Sequence, residues 1–300
     1  MLGVTILGNN SAIPAYDRHP TAQVVTLHDQ LVLIDCGEGT QMQLSKFKVK
    51  RSKINHILIS HLHGDHYFGI FGLVTSMGLF GRTAPLHIYS PAGLEQICQL
   101  QFAAAAMDLP FPLHFHVLTH AAILVEEPKF LIRCFPVSHR IPCFGFVIEE
   151  RKKPRKIVPE KAIAAGIPAS FFDALQLGRD YTNKNGETIA NEQVTIANTS
   201  GKKYAFCADT QYLPSICTQV QQVDVLYHET TYLKDLEERA ALRFHSTTHQ
   251  AASIAVQANA KRLLIGHFSS KYEQLTPFLE EAKEVFPNTD LALEGVTYIL

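Results

Sequence analysis

The sequence predicts an α/β protein in which helices cover central β-sheets. Short apolar runs alternate with amphipathic segments of helical length along the chain, which is the pattern of sheets packed against helices. The 300 residues can bury a sizeable core. Hydrophobic residues make up 46% and charged residues 18% of the chain, as in ordinary globular proteins.

The predicted elements follow in chain order. Short apolar runs that are too hydrophobic to be half-exposed indicate strands at residues 4–7, 23–27, 31–35 and 54–60. A second set of strands is predicted at residues 130–137, 144–149, 204–208, 223–228, 262–266 and 297–300. Apolar positions at helical spacing indicate helices at residues 67–79, 93–106, 248–259 and 274–285.

Residues 151–203 differ from the rest of the chain. They are polar, rich in Lys, Asn and Gly, and lack strong buried strands. A short helical piece is predicted at residues 159–165, and Asn185-Gly186 is a turn signal. We interpret residues 151–203 as an insertion projecting from a single domain of residues 1–300. The alternative is a long surface loop, which in a compact domain is itself usually functional or mobile.

Composition and charge restrict the class of protein. The chain starts without a signal-peptide pattern, and no apolar run is long enough to cross a bilayer, so we expect a cytoplasmic protein with no membrane partner. The six scattered cysteines form no Cys-x-x-Cys pair, which argues against a thiolate zinc site and a disulfide framework. The net charge is −1, so any contact with nucleic acid must use local basic patches.

Four potential metal ligands follow the predicted strand at residues 54–60, in the motif His61-Leu-His63-Gly-Asp65-His66. Imidazole nitrogens and carboxylate oxygens both suit zinc. Alternate positions bring His61 and His63 to one side, and we expect Gly64 to let the backbone turn so that Asp65 and His66 face another way. The motif therefore predicts two metal ions, although a polar surface loop could carry the same residues.

Further ligands are expected at the ends of other predicted strands. His139, Asp209 and His267 each follow one of them. In open α/β sheets, ligand-binding and catalytic residues usually lie beyond the carboxyl ends of the strands. A single residue in such a position is usually a surface or capping residue, but three with the same placement favour ligation.

His61-x-His63-x-Asp65-His66 resembles the signature of the metallo-β-lactamase superfamily, and the fuller pattern resembles the ribonuclease Z family of tRNA 3′-processing endonucleases. The matching segments run in family order over nearly the whole chain. They are Asp35-Cys-Gly-Glu-Gly-Thr-Gln41, Leu79-Phe-Gly-Arg-Thr83, Ser138-His-Arg140, Ala208-Asp-Thr210, His228-Glu-Thr-Thr231, His245-Ser-Thr247 and His267-Phe-Ser-Ser-Lys-Tyr272.

The resemblance implies a four-layer αββα sandwich with an arm insertion and two Zn²⁺ per subunit, although nitrogen and oxygen ligands also permit Mn²⁺ or another divalent ion. It implies that Asp65 accepts a proton from the attacking water and that Asp35 supports the metal-binding histidines. One ion would be held by His61, His63 and His139, the other by Asp65, His66 and His267, with Asp209 bridging them.

His245 is the candidate donor to the leaving oxygen. It precedes Thr247 and Gln250, whose spacing fits a helix capping box, and an imidazole near a helix N-terminus is expected to have a lowered pKa. The resemblance implies that Glu229 orients this histidine. Such a pair could donate a charge-assisted hydrogen bond to the leaving 3′ oxygen.

A basic run opens the insertion, and a basic run is usually only a solvated face. The resemblance implies that this run belongs to an arm that grips precursor tRNA through its phosphates, and that the protein is a homodimer. Lys271 could contact a further phosphate as a point charge. The substrate-binding candidates are Lys152, Lys153, Arg155, Lys156 and Lys271.

Two alternatives remain at this stage. A metallo-β-lactamase-type hydrolase of small phosphodiesters or thioesters would use the same ligands but would need neither a basic arm nor the His245 motif. An RNA-binding module that has lost its chemistry would not need the seven ligand candidates. Turnover of small esters beside intact RNA would indicate the first, and RNA binding without bound metal would indicate the second.

Overall fold

The apolar runs form two seven-stranded sheets in the described residues of the structure. The structure is a computed structural model that describes residues 2–151, 154–198 and 201–300. Both sheets belong to one compact unit, which comprises Met1–Glu126, Phe130–Glu149 and Lys202–Leu300. A second compact unit comprises Glu127–Lys129 and Glu150–Gly201.

The first sheet uses the N-terminal strands and the last strand of the chain. Its order is β14-β1-β2-β3-β4-β5-β6. Neighbouring strands are antiparallel from β14 to β3 and parallel from β3 to β6. The strands are β1 (Leu2–Gly8), β2 (Ala22–Leu27), β3 (Gln30–Ile34), β4 (Ile54–Leu58), β5 (Leu86–Ser90), β6 (Leu113–Val117) and β14 (Thr297–Ile299).

The second sheet follows the first along the chain and has the order β13-β12-β11-β10-β9-β8-β7. Its strands β10 to β13 are parallel to one another, so their carboxyl ends lie at one edge of the sheet, whereas β9 is antiparallel to β10. The strands are β7 (Ala122–Glu126), β8 (Phe130–Pro136), β9 (Phe144–Glu150), β10 (Lys203–Cys207), β11 (Val225–Glu229), β12 (Leu263–Gly266) and β13 (Thr289–Leu291).

Helices occupy the segments between strands. Within the described ranges they are α1 (Thr40–Lys46), α2 (Gly64–Tyr67), α3 (Ile70–Leu79), α4 (Leu94–Ala104), α5 (Pro159–Ala164), α6 (Phe172–Gln176), α7 (Asn191–Val194), α8 (Glu237–Arg243), α9 (Thr248–Gln257) and α10 (Thr276–Val285). None of the helices in this described part of the chain is long and apolar enough to cross a membrane.

Three apolar clusters divide the first unit into layers. Val4 and Phe146 belong to a core that contains side chains of both sheets. Residues of α3 and α4 pack on the other face of the first sheet, and residues of α9 and α10 pack on the other face of the second. This is the predicted four-layer αββα sandwich.

The second unit has a small core of its own, formed by Ala162, Ile167, Leu175 and Val194. Short strand pairs complete it, Lys156–Ile157 with Thr195–Ile196 and Tyr181–Thr182 with Thr188–Ile189. The predicted helix at 159–165 corresponds to α5. This unit contains most of the segment that the sequence marks as an insertion; the single-domain interpretation stays a prediction.

Two predicted elements differ from those in the structure. The helix expected at residues 67–79 is two helices, α2 and α3, because the chain at Gly69 lies against the turn after β3: the amide of Gly69 donates to the carbonyl of Cys36, 2.9 Å away. The strand expected at residues 297–300 pairs with β1 in the first sheet, whereas the pattern grouped it with the later strands.

Candidate metal centre

The His61–His66 motif lies where β4 ends and α2 begins. His61 follows the buried end of β4, and His63 is extended at the N-cap of α2. Asp65 and His66 lie in the first turn of that helix. The change from extended chain to helix separates the motif into two pairs of side chains that point in different directions.

The first pair meets two residues from the second sheet. His63 Nδ1 lies 2.9 Å from His61 Nε2 and 3.2 Å from His139 Nε2. Asp209 Oδ2 completes the group, 3.7 Å from His61 Nε2 and 3.9 Å from His139 Nε2. These four ligand atoms lie within 4.8 Å of one another.

The second pair meets His267, which follows β12. Asp65 Oδ2 lies 3.5 Å from His66 Nε2 and 3.7 Å from His267 Nε2. The other oxygen of Asp209, Oδ1, lies 3.4 Å from His66 Nε2 and 3.0 Å from His267 Nε2. Asp209 therefore faces both groups, one oxygen each, and the structure brings together all seven residues expected to bind metal.

Three buried polar atoms of the second group have no hydrogen-bond partner: His66 Nε2, His267 Nε2 and Asp209 Oδ1. Leaving buried polar atoms unpaired costs about 1–3 kcal/mol each, so folded proteins rarely keep three in one place. A divalent cation would satisfy all three. The donor set of imidazole and carboxylate is the one that such cations bind, so the cluster fits a divalent-metal site.

Each of four imidazoles is held through its second ring nitrogen. Nδ1 of His61 lies 3.1 Å from Ser60 Oγ, and Nδ1 of His267 lies 3.0 Å from Thr231 Oγ1. His139 Nδ1 lies 2.9 Å from the carbonyl of Phe244. Such outer contacts fix the tautomer and orientation of metal-binding histidines.

Asp35 holds the fourth of these histidines. Its Oδ2 lies 2.8 Å from His66 Nδ1, and its Oδ1 accepts from the amide of Ser60 at 2.7 Å. Asp35 is fully buried and has a left-handed φ of 56°, an unfavourable conformation that tends to occur at functional sites. Asp35 therefore holds His66 and the end of β4 in place, in agreement with the role that the family resemblance implies.

The charges of the cluster perturb its titration. Burial lowers the pKa of His61 well below its ordinary value, aided by the neighbouring His66, which keeps His61 neutral and able to bind a cation. Burial would also lower the pKa of His66, but Asp209, Asp65 and Asp35 raise it well above the ordinary range. Burial opposes ionisation of Asp65, yet the charge of His66 lowers its pKa.

Two glycines lie beside the motif at positions where a side chain would clash with neighbouring atoms. Gly64 lies at the turn into α2, as expected, and a Cβ there would lie 2.2 Å from the ring of Phe68. A Cβ on Gly37 would lie 2.4 Å from the carbonyl oxygen of Asp65 and 2.7 Å from Pro20 Cβ. The turn after β3 and the start of α2 thus pack backbone against backbone.

His245 and Glu229 form the predicted pair. His245 Nδ1 lies 2.9 Å from Glu229 Oε1, and Glu229 is fully buried at the end of β11. The expected capping box is present at α9, with Thr247 at the N-cap and Gln250 at the third helical position. The expected lowering of the His245 pKa is wrong. Burial does lower it, but the adjacent Glu229 carboxylate outweighs this and raises the pKa of His245 to about 9.

The cluster opens into a cavity of about 480 Å³. His63, Asp65, Asp209 and His245 line it, so a ligand in the cavity can reach both groups and the His245 imidazole. Other lining residues are Ser11, Ala12, Ile13, Pro14, Pro20, Glu38, Gly64, Phe68 and Arg140.

Sequence reasoning missed two hydroxyl groups that connect the cluster. Thr231 Oγ1 donates to Glu229 Oε2 at 2.8 Å and lies 3.1 Å from His245 Nδ1 as well as near His267. Ser60 Oγ lies 2.9 Å from Asp35 Oδ2 and near two metal-site imidazoles. Both residues lie inside or beside the motifs, but a serine or threonine there does not by itself indicate a connecting role.

Three of the five candidate RNA-binding residues lie in the described part of the chain. Lys152 and Lys153 lie outside the described residues. Arg155 is half-buried in the second unit, where its Nε donates to Thr195 Oγ1 at 2.8 Å, and Lys156 is exposed there. Lys271 is exposed in the first unit, with Nζ 5.4 Å from the ring centre of Tyr272.

The chain is similar to known proteins in sequence and in fold. A family profile described as Anti-Pycsar protein Apyc1 matches residues 2–105. Ribonuclease Z from Bacteroides fragilis is 42% identical over 293 residues, covering 97% of this chain and 96% of the relative. The crystal structure of the human tRNase Z short form superposes with a TM-score of 0.72 at 25% identity, covering 99% of this chain and 98% of that one.

A metallo-beta-lactamase fold protein from Bacillus subtilis also superposes, with a TM-score of 0.71 at 18% identity over 99% of this chain and 98% of that one, which supports the fold. The family assignment rests on the sequence identity, which extends over nearly the full length of both proteins. The chain belongs to the ribonuclease Z family and has the metallo-β-lactamase fold.

Proposed function

We propose that this protein is a metal-dependent endoribonuclease that removes the 3′ trailer from precursor tRNA and leaves a 3′-hydroxyl on the tRNA. The main support is the cluster of seven ligands in which Asp209 faces both groups. It occurs in a chain that is 42% identical to a protein named ribonuclease Z.

The ligands divide between two Zn²⁺ ions, with Mn²⁺ as the alternative ion. His61, His63 and His139 would hold one ion and Asp65, His66 and His267 the other, with Asp209 as the ligand shared by both. When bound, two such ions lower the pKa of a water molecule and neutralise charge on the phosphate oxygens.

The protein's own groups then move the protons. The carboxylate of Asp65, which lines the cavity, accepts a proton from the attacking water. His245 donates a proton to the leaving 3′ oxygen, which gives catalysis of the kind that general acids provide. Glu229 keeps His245 protonated and oriented, since its Oε1 lies 2.9 Å from Nδ1 of that ring.

The basic residues bind the substrate. Lys152, Lys153, Arg155 and Lys156 contact phosphates of the tRNA body, and Lys271 contacts a further phosphate. Such contacts position RNA without reading its sequence. A homodimer stays an expectation from the family resemblance, and a cytoplasmic location stays a prediction from the sequence.

The test is to incubate zinc-loaded protein with a precursor tRNA that carries a 3′ trailer and to map the product ends. We expect one endonucleolytic cut near the acceptor stem, lost in His63→Ala and on addition of a chelator. The same preparations are assayed with bis(p-nitrophenyl) phosphate and a thioester. Small-ester turnover beside an intact precursor would assign the protein to small substrates instead, and RNA binding by a metal-free protein would indicate a binding module.

A further inference from the structure

The loop between β1 and β2, residues 9–20, passes beside the metal cluster, and we refer to it as the β1–β2 loop. Ser11 and Ala12 are among its residues that line the cavity. Three of its residues that are not glycine have a left-handed backbone: Ala12 with φ 64°, Tyr16 with φ 53° and Asp17 with φ 56°. Residues with a side chain rarely adopt this conformation, and it persists only where the surrounding structure imposes it.

The β1–β2 loop contacts Asp65 through a backbone amide. The amide of Ala12 donates to Asp65 Oδ2 at 2.8 Å. The same oxygen lies 3.5 Å from His66 Nε2 and 3.7 Å from His267 Nε2, so it faces the second group of metal ligands. A carboxylate that binds metal is commonly oriented by a hydrogen bond of this kind. The backbone at Ala12 therefore orients the Asp65 carboxylate toward the cluster.

The start of the loop also contacts the segment that follows His267. Asn10–Ser11 pairs in parallel with Phe268–Ser269, and the amide of Phe268 donates to the carbonyl of Asn9 at 2.9 Å. His267 itself has a left-handed φ of 60°. One loop thus holds the backbone beside two ligands of the same group.

Arg18 holds the loop in this conformation through three hydrogen bonds. Its Nε donates to Asn10 Oδ1 at 2.9 Å, its Nη1 donates to the carbonyl of Glu273 at 2.9 Å, and its Nη2 donates to the carbonyl of Tyr272. Asn10 in turn donates through Nδ2 to the carbonyl of Ile13 at 2.6 Å, which closes the turn that supplies the amide donor. Arg18 is therefore linked through one side chain to the amide that orients the carboxylate.

The acceptors of Arg18 indicate that it fixes geometry rather than neutralising charge. None of the three is a carboxylate, and the guanidinium forms no ion pair within the described residues. The planar guanidinium places its donors in fixed directions, whereas the single nitrogen of a lysine cannot reach acceptors in separate segments at once. Lysine at this position would therefore keep the charge and lose most of the contacts.

We propose that Arg18 is a positioning residue of the metal centre: through Asn10 and the β1–β2 loop it keeps the Ala12 amide against Asp65. This role rests on the proposed function, in which Asp65 binds metal and accepts the proton of the attacking water. Arg18 is not among the described residues that line the cavity. Its loss therefore lowers turnover through the metal centre and leaves substrate binding largely unchanged.

Arg82 provides a matched control because it has the same kind of environment away from the cluster. Both arginines are 9% exposed. Nε of Arg82 donates to the carbonyl of Ala84 at 2.8 Å, and its Nη1 donates to the carbonyl of Ile54 at 2.9 Å. Ile54 begins β4, whereas the metal-binding motif follows the other end of that strand. Loss of the Arg82 contacts should therefore lower stability without moving Asp65.

The test compares Arg18→Lys with Arg82→Lys in the full chain, each loaded with zinc. The constants kcat and KM are measured for precursor tRNA and for bis(p-nitrophenyl) phosphate. We expect Arg18→Lys to lower kcat by roughly 10- to 100-fold for both substrates, with KM near the wild-type value. Asn10→Ala leaves the carbonyl contacts of Arg18 in place and should also lower kcat. Arg82→Lys should keep the wild-type kcat and KM, even where its melting temperature falls.

A second measurement does not depend on catalysis. Cobalt(II) replaces zinc in the same variants, and the visible absorption spectrum reports the arrangement of ligands around the bound ions. We expect an altered spectrum in Arg18→Lys and Asn10→Ala and a wild-type spectrum in Arg82→Lys.

The two readouts separate this role from the proposed function. Wild-type kcat or a wild-type spectrum in Arg18→Lys and Asn10→Ala, or equal changes in Arg82→Lys, would overturn the role of Arg18. If the wild-type protein hydrolyses only the small phosphodiester, the proposed RNA substrate is wrong, but the same comparison still decides whether Arg18 positions Asp65.

Discussion

Asp35 contacts the metal cluster without belonging to it. Its two oxygens engage the Ser60 amide and His66 Nδ1, so its charge both orients the imidazole and raises its basicity toward a cation. The family resemblance implies this role, whereas the residues alone also fit a tight strand-to-helix turn. The connecting hydroxyls of Ser60 and Thr231 were not predictable, because a serine or threonine at a strand end is common without any such role.

Replacing Asp35 by asparagine tests this support. Asp35→Asn keeps the shape but removes the charge beside His66, and we expect metal affinity to fall roughly 10- to 100-fold. Competition with a chromogenic chelator measures the affinity. Asp29→Asn, at an exposed turn between β2 and β3, is the matched control and should bind metal like wild type. Equal affinities in both variants would contradict the role given to Asp35.

The His245–Glu229 pair predicts a pH dependence. A group that donates a proton supports activity below its pKa and loses it above. Glu229 raises the pKa of His245 to about 9, so removing the charge in Glu229→Gln should move the alkaline limb of the kcat/KM profile to lower pH, by roughly 1–3 units. The measurement is precursor cleavage between pH 6 and about 10, a range chosen to span the ordinary and raised His pKa values.

A substrate with a good leaving group provides the control for this prediction. Bis(p-nitrophenyl) phosphate releases an anion that needs little protonation, so Glu229→Gln should slow its hydrolysis less than it slows precursor cleavage. An alkaline limb at the same pH in both enzymes would show that His245 is not the titrating donor. The sequence predicted the His245–Glu229 pair, but the predicted direction of the His245 pKa shift was wrong. A helix N-terminus carries only a partial positive charge, whereas the buried Glu229 carries a full negative charge that outweighs it.

At the level of elements, the approach of the turn after β3 to α2 sets the position of Asp65. We expect Gly37→Ala to lower the free energy of unfolding by about 1–3 kcal/mol, as overpacking does, and to weaken metal binding because the Asp65 backbone must move. Thermal and denaturant unfolding measure the first effect, and metal content after gel filtration measures the second.

Gly72→Ala is the matched control for Gly37→Ala. The one close contact of its Cβ would be Gln41 Oε1 at 2.7 Å, at the end of a flexible side chain, and alanine favours helix by up to about 1 kcal/mol. We expect unfolding within about 1 kcal/mol of wild type and normal metal content. Wild-type behaviour of Gly37→Ala would contradict the account of the turn.

Helices and strands with a strong periodic pattern of apolar residues were predictable from the sequence, but the breaks within them were not. Helix α9 begins at Thr248, as expected, because the capping box is local in sequence. The break between α2 and α3 depends on a contact with Cys36 and Gly37, which are distant along the chain. Strand β6 escaped prediction because Leu113–Val117 alternates leucine, histidine and phenylalanine and carries no run of buried residues.

At the level of the whole molecule, the basic run in the second unit predicts salt-dependent binding. The triple variant Lys152→Ala/Lys153→Ala/Lys156→Ala lacks three positive charges. We expect the logarithm of the association constant for precursor tRNA to depend less steeply on the logarithm of the salt concentration, with a slope that is shallower by up to roughly 2–3. The KM for precursor should rise at least tenfold. Hydrolysis of bis(p-nitrophenyl) phosphate should be unchanged, because the cluster is untouched.

Lys234→Ala/Lys261→Ala/Lys283→Ala is the control, since it removes the same number of charges from the first unit. We expect it to leave the salt slope and the KM near wild-type values. Equal effects of the two triple variants would mean that the basic run has no special part in binding RNA. The basic residues and their place in the chain allowed this segment to be predicted as an RNA-binding insertion. Its small core around Leu175 could not be predicted, because the apolar residues that form it are dispersed along the segment.

The fate of the solvent oxygen tests the central claim most directly. Precursor tRNA is cleaved by the metal-loaded protein in H₂¹⁸O, and both products are analysed by mass spectrometry. Hydrolysis at phosphorus by water predicts one ¹⁸O in the 5′-phosphate of the trailer, an unlabelled 3′-hydroxyl on the tRNA, and no reaction with chelator. A 2′,3′-cyclic phosphate on the tRNA, or a trailer without ¹⁸O, would contradict the account.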